Sequence, residues 1–249
     1  MDDIQFPRGA EHELTRQRLA AGSLIEEMRA DPPSGVRFRT DAEMEESLQA
    51  ILRDHDPLQD LHVFGYGSLM WNPAMDAAHA RLVHVQGWHR SFCLRSFLGR
   101  GSPQAPGAML GLDNGGACRG LLFRIEASKV LAELKLLWRR EMFPGAYDAR
   151  WIQVRGAPGA HRALTFVVNR RHERYIGRHP VAEVARLIRT GHGSLGTSLA
   201  YFDATMDALS RFGIRDAGME RLRVELARTG ALNSGAGFHA GRTAQWSSR

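Results

Sequence analysis

The sequence predicts an α+β fold in which short strands curl into a small barrel or sheet with helices packed around it. Three observations carry that expectation. Residues 60–190 hold short apolar runs, often alternating, bounded by Gly, Pro or Asn. One amphipathic helical pattern, Ala127 to Glu141, sits between them. Beyond residue 180 the apolar period becomes that of helices.

The elements follow in order. Residues 1–58 read as a helical extension. Glu11 to Ala30 and Asp41 to Asp54 are charged amphipathic patterns, separated by the breaker Asp31-Pro32-Pro33-Ser34-Gly35. Strands are expected over Leu61 to Gly65, Ala80 to Gly87, Arg90 to Ser96, Ala108 to Asp113 and Cys118 to Ile125. The helix from Ala127 to Glu141 places Val130, Leu131, Leu134, Leu137 and Trp138 on one face. Two further strands, Trp151 to Val154 and Arg162 to Asn169, precede helices over Val181 to Thr190, Ser198 to Phe212 and Ala217 to Thr229. Residues 59–229 therefore form the expected domain, and the Gly/Ser/Ala-rich residues 230–249 a mobile tail.

Composition narrows the function classes. The chain has 249 residues, 43% of them hydrophobic, enough for a sizeable core, and no apolar run approaches the length of a membrane helix. Met1 to Ala10 carries two acids and no apolar stretch, so no signal peptide is expected. Two cysteines, Cys93 and Cys118, are too few for a disulfide framework, which points to a reducing, cytoplasmic setting. A net charge of +6 and a pI near 10.0 raise the question of nucleic acid. The basic residues are scattered among acids, however, and no nucleic-acid motif accompanies Arg170-Arg171-His172-Glu173-Arg174. A solvated Arg-rich surface accounts for the charge.

Two segments carry chemistry. Val63-Phe64-Gly65-Tyr66-Gly67-Ser68-Leu69-Met70-Trp71-Asn72-Pro73 runs from a buried strand end into a glycine-flanked turn. That turn can aim consecutive backbone N–H groups at an anion, or serve as a tight connection at a sheet rim. No Gly-Lys-Ser/Thr follows, so it is not a phosphate-binding P-loop. The second segment, Leu136-Leu137-Trp138-Arg139-Arg140-Glu141-Met142, ends an apolar helical face on one acid. Desolvation and a helix C-terminus would both raise the Glu141 pKa toward that of a general base. The competing reading pairs Glu141 with Arg139, Arg140 or Arg150 at the surface. Cys93 lies in an alternating strand and reads as core; Cys118 lacks an evident His partner. No Gly-x-Ser-x-Gly elbow frames Ser68, and no His-Glu-x-x-His or Cys-x-x-Cys spacing occurs, so neither a serine triad nor a metal site is expected. Gly193-Ser194-Leu195-Gly196-Thr197-Ser198 precedes a helix with Thr197 or Ser198 as N-cap, and Tyr201 falls in its first turn.

From Leu61 to Leu226 the chain resembles the ChaC family of γ-glutamylcyclotransferases, of bacterial type. The likeness rests on Phe-Gly-Tyr-Gly-Ser-Leu-Met-Trp-Asn-Pro at 64–73, Gly-Trp-His-Arg at 87–90, Gly-Arg-Gly at 99–101 and Leu-Trp-Arg-Arg-Glu-Met at 137–142. Gly-Ala-Tyr at 145–147 and Ser-Leu-Gly-Thr at 194–197, followed by Tyr201, add to it. The resemblance implies a small mixed β-barrel with surrounding helices. It also implies cofactor- and metal-free cleavage of glutathione to 5-oxoproline and cysteinylglycine. It places the catalytic acid at Glu141 and the substrate loop at Tyr66, Gly67, Ser68 and Leu69. Tyr147 and Tyr201 could hydrogen-bond the substrate, and Arg95 could pair with a carboxylate. Neither the first 58 residues nor the tail belongs to the likeness. Other γ-glutamyl amides as substrates, a non-catalytic binding module and a nucleic-acid binder are the competing functions.

Overall fold

A computed structural model describes residues 14–30, 32, 36–159 and 161–228. The expected tail, the start of the arm and most of the Asp31–Gly35 breaker lie outside the described residues. The arm holds α1 (Arg16–Ala21), α2 (Ser23–Ala30) and α3 (Asp41–Leu52). The single helix expected up to Ala30 is divided at Gly22, whose φ of 79° ends α1 in the left-handed conformation that glycine adopts without strain. Thr40 and Glu43 close a capping box on α3, and Met44 and Leu48 carry that helix onto the main core.

The main sheet has five strands in the order β2-β3-β1-β5-β4. These are β1 (Leu61–Gly65), β2 (His79–Ser96), β3 (Gly107–Ile125), β4 (Tyr147–Gln153) and β5 (Arg162–Val168). Central β1 runs antiparallel to β3 and parallel to β5, with Val63 opposite Leu164. Its Leu61, Val63 and Phe64 are fully buried, as a strand flanked on both sides requires. The four runs expected between 80 and 125 are two long strands. They bend at a register shift between Gln86 and Trp88, opposite Gly115 and Gly116, both at positive φ. The sequence pattern broke there because the bend, not a chain reversal, interrupts the alternation. The sheet curls into a half-barrel: an isolated bridge joins His84 of β2 to Arg155, just past β4.

Between β3 and β4, a 3-10 turn at Ala127–Lys129 leads into α4 (Val130–Leu137) and then a π turn at Trp138–Met142. Phe143 N–H donates to the Trp138 carbonyl at 3.2 Å, the i to i+5 spacing that defines the wide turn. The buried face is Val130, Leu134, Leu136 and Leu137; Leu131, expected among them, is 48% exposed. Helices α5 (Val181–Thr190), α6 (Ser198–Arg211) and α7 (Ala217–Arg228) complete the fold where the periodicity placed them. No helix among the described residues is long and apolar enough to cross a membrane.

Candidate active site

The glycine turn follows β1 directly. A Cβ on Gly65 would lie 2.9 Å from both Leu69 Cβ and Phe123 Cε2, so only glycine lets the chain fold back this closely. Buried Arg90 fixes the turn from behind, with Nε on the Tyr66 carbonyl at 2.6 Å and Nη1 on Asp216 at 2.8 Å. Ser68–Met70 then forms a 3-10 turn in which Met70 N–H bonds back to the Gly67 carbonyl at 2.9 Å. The N–H groups of Ser68 and Leu69 donate no hydrogen bond among the described residues. They are the orphan donors that any helical turn leaves at its start.

Glu141 lies within the π turn, with its side chain 14% exposed. Burial raises its pKa above the ordinary carboxylate value, against the lowering pull of Arg140, whose Nε stands 2.9 Å from Oε1. The expected upward shift is found, with desolvation as its largest cause, and Glu141 does lie near the end of the helical segment, one residue before Met142. Of the three arginines considered as partners, Arg140 is the one paired, and it is a buried residue rather than a surface one. Arg140 also donates to Ser68 Oγ at 2.8 Å and to the Asn72 carbonyl at 2.5 Å. One guanidinium thus ties the acid to the glycine turn, across about seventy residues of sequence.

Three tyrosines surround this pair. Tyr66 Oη donates to the Phe166 carbonyl at 2.8 Å, and Tyr147 Oη to the Leu110 carbonyl at 2.6 Å. Tyr201 is buried on the first turn of α6, which Thr197 caps by accepting from Ala200 N–H at 3.0 Å. Burial first, then neighbouring groups that include Glu141, raises all three phenols above their ordinary value, so they stay protonated.

The space in front of Glu141 has two chambers. An inner recess of about 20 Å³ is lined by Tyr66, Gly67, Ser68, Leu69, Glu141 and Tyr147 together with Leu110, Phe166 and Tyr201. Seven of the eight residues singled out from sequence therefore converge on one recess. An outer chamber of about 100 Å³ shares Ser68, Glu141 and Tyr147 with it. Both volumes fall well short of a typical ligand pocket of roughly 300–1,000 Å³, and the inner recess has room for about one water, so both chambers must widen to admit a ligand. The eighth residue, Arg95, lines neither chamber; its carbonyl accepts from Arg174 Nε at 2.8 Å and its own Nε is buried without a partner. A larger cavity of about 580 Å³, bordered by Trp88, Asp113, Arg150 and Arg170, contains none of the candidate residues.

Sequence reasoning did not single out Arg174, which lines the outer chamber, nor the contribution of the arm. Leu14, Ile25 and Met28 form part of that chamber's wall. The arm is fastened beside the acid: Arg139 donates to the Leu19 and Ala20 carbonyls at 3.0 and 2.7 Å, and Asn72 Nδ2 to the Leu14 carbonyl at 3.0 Å. Arg16 pairs with buried Glu133. No local pattern announces such contacts, because the partners are more than fifty residues apart. Among the described residues, no group of three or more His, Cys, Asp or Glu could hold a metal ion.

The architecture is that of known cyclotransferases: a glutathione-specific γ-glutamyl cyclotransferase from yeast superposes with a TM-score of 0.61. The aligned region covers 68% of this chain and 96% of that one at 18% identity, a likeness of fold alone. The family model described as ChaC-like protein matches residues 61–229, and the chain belongs to that family. Curated relatives include the glutathione-specific γ-glutamylcyclotransferase of Escherichia coli strain K12, 37% identical over 75% of this chain and 81% of its own. The human glutathione-specific γ-glutamylcyclotransferase 1 is 31% identical over 67% of this chain and 77% of its own.

Proposed function

We propose that this protein is a glutathione-specific γ-glutamylcyclotransferase, converting glutathione to 5-oxoproline and cysteinylglycine with Glu141 as general base and acid. The names of its relatives support the substrate. The observation that carries the mechanism is the shared guanidinium: Arg140 holds Glu141 and Ser68 at once, so the acid and the orphan N–H groups face one recess.

The γ-glutamyl group enters the inner recess with its α-ammonium beside Glu141. The carboxylate removes one ammonium proton. The freed amine attacks the γ-carbonyl carbon and closes the five-membered ring. The amide C–N bond then breaks as Glu141 gives its proton to the departing nitrogen; the ring nitrogen, which still carries two protons, passes one through Glu141 to cysteinylglycine, which leaves as its ammonium, and the neutral lactam of 5-oxoproline remains. No water is consumed. Desolvation suits Glu141 to both halves, because a raised pKa makes it a stronger base than an exposed carboxylate and a competent acid afterwards. Tyr147 has spent its hydrogen on the Leu110 carbonyl, so its oxygen offers lone pairs to the substrate ammonium. The N–H groups of Ser68 and Leu69 receive the negative end of the substrate, either its α-carboxylate or the oxyanion of ring closure. Folding the glutamyl chain within the recess supplies the proximity term of an intramolecular reaction.

The same reading assigns residues 59–229 to the catalytic domain and treats the curled sheet, bridged at His84 and Arg155, as a small barrel. Two unpaired buried cysteines accord with a reducing, cytoplasmic location. The test is incubation of the purified protein with glutathione, without added metal, and mass detection of both products. Equimolar 5-oxoproline and cysteinylglycine are expected. 5-Oxoproline from other γ-glutamyl compounds but not from glutathione would keep the mechanism and displace the substrate.

A further inference from the structure

Three arginines are buried among the described residues: Arg90, Arg140 and Arg174. Two of them have carboxylate partners. Arg90 meets Asp216 at 2.8 Å, and Arg140 meets Glu141 at 2.9 Å. Arg174 has none in ion-pair contact among the described residues; the exposed carboxylate of its chain neighbour Glu173 acts on it only from beyond contact. Arg174 is 5% exposed, its Nε donates to the Arg95 carbonyl at 2.8 Å, and its Nη2 lies 4.0 Å from Met109 Sδ. Burial pulls its pKa below the usual arginine value. A buried charge left without a counter-ion is costly, and folded proteins pair such groups. A guanidinium also has five donors in a planar fork, of which one oxygen and one thioether use only part.

Arg174 lines the outer chamber, whose other walls include Ile25, Met28, Leu98, Met109 and Leu195. Of the other arginines there, Arg139 is engaged by two carbonyls of the arm and Arg140 by Glu141, while Arg100 is only half-buried. The chamber thus combines soft apolar walls with a buried cation. That chemistry fits a small thiol-bearing residue followed by a carboxylate. The inner recess takes the γ-glutamyl end, so what projects outward is the dipeptide that leaves.

We propose that Arg174 anchors the free carboxylate of the leaving dipeptide and is a specificity-determining residue of the reaction. The inference rests on the cyclotransferase reading above. A carboxylate-bearing leaving group supplies the counter-charge that Arg174 lacks, which separates glutathione from neutral γ-glutamyl amides. It takes no part in bond making.

The experiment compares glutathione with its C-terminal amide, in which the glycine carboxylate is neutral and the γ-glutamyl bond is unchanged. Full-length wild-type protein should favour glutathione in kcat/KM by roughly 10- to 100-fold, the range of a hydrogen bond to a charged group, expressed mainly in KM. Arg174→Gln should lower glutathione turnover to the level of the amide and leave the amide almost unchanged; Arg174→Lys should restore part of the preference. A wild-type preference near one overturns the inference while leaving the cyclotransferase reading intact, and needs no variant to fold. Equal losses on both substrates in Arg174→Gln overturn it too, because they mark a structural role. Silence of the wild-type protein on every γ-glutamyl donor removes the underlying reading and the inference with it.

Discussion

Replacing Glu141 with Gln keeps the shape of the side chain and removes its capacity to carry a proton. General acid–base catalysis contributes roughly 10²- to 10⁴-fold, and the proposed mechanism gives one carboxylate both proton transfers, so a loss in kcat near the upper end, about 10⁴-fold, is expected. A residual rate should survive, because Gly67, Ser68, Leu69 and the tyrosines, which line the recess, would in the proposed mechanism still hold the substrate folded. The fold should tolerate the change. Gln offers the same acceptor oxygen to Arg140 Nε, and Arg140 keeps Ser68 Oγ and the Asn72 carbonyl. Gln withdraws the counter-charge from buried Arg140, a cost that relief of the buried carboxylate offsets in part. The assay is product formation by mass detection alongside thermal unfolding. Glu141→Asp provides a second measurement: it withdraws the carboxylate by one methylene, and a misplacement of that order costs about 10²-fold. A folded Glu141→Gln protein that loses less than about tenfold in kcat would refute the assignment.

The pH dependence has a definite sign. Glu141 titrates above its unfolded value, so the stability of its neutral form is fully present below about pH 4.5 and is lost as pH rises through the folded pKa. The thermal midpoint of Glu141→Gln should therefore gain on wild type as pH rises from 4, while wild-type kcat climbs over the same window; a gap that widens toward acid would contradict this. Gly67→Val should raise KM for glutathione by about tenfold or more and destabilise by about 1–3 kcal/mol of overpacking. A Cβ there already stands 3.3 Å from Tyr201 Oη and 3.5 Å from Leu110 Cδ1, and unchanged KM would show the turn to be purely structural. Arg139→Ala should release the arm from the π turn that carries Glu141, seen as faster amide exchange over residues 16–30 and a several-fold higher KM. The lost bonds, each about 1.5–3 kcal/mol, join it to the Leu19 and Ala20 carbonyls, and unaltered exchange would place the arm's anchorage elsewhere.

The chain's local patterns determined which segments are strands and helices. β1 and α5 occupy the residues that their apolar periods mark, because period 2 and period 3.6 report directly on which faces are buried. The ordered motifs likewise marked the glycine turn and Glu141, since both depend on residues adjacent in sequence. Tertiary structure decided the rest. The runs between 80 and 125 join into two bent strands only because each pairs with the other through its full length. The segment after Leu137 widens into a π turn while burying Trp138, Arg140 and Met142 together, a demand set by surrounding elements and invisible in the helical period. Which arginine pairs with Glu141, which is buried without a carboxylate, and that the arm walls the outer chamber all depend on groups distant in sequence and close in space. Local patterning encodes burial and backbone preference, whereas charge pairing and the outline of a pocket exist only once the chain has closed on itself.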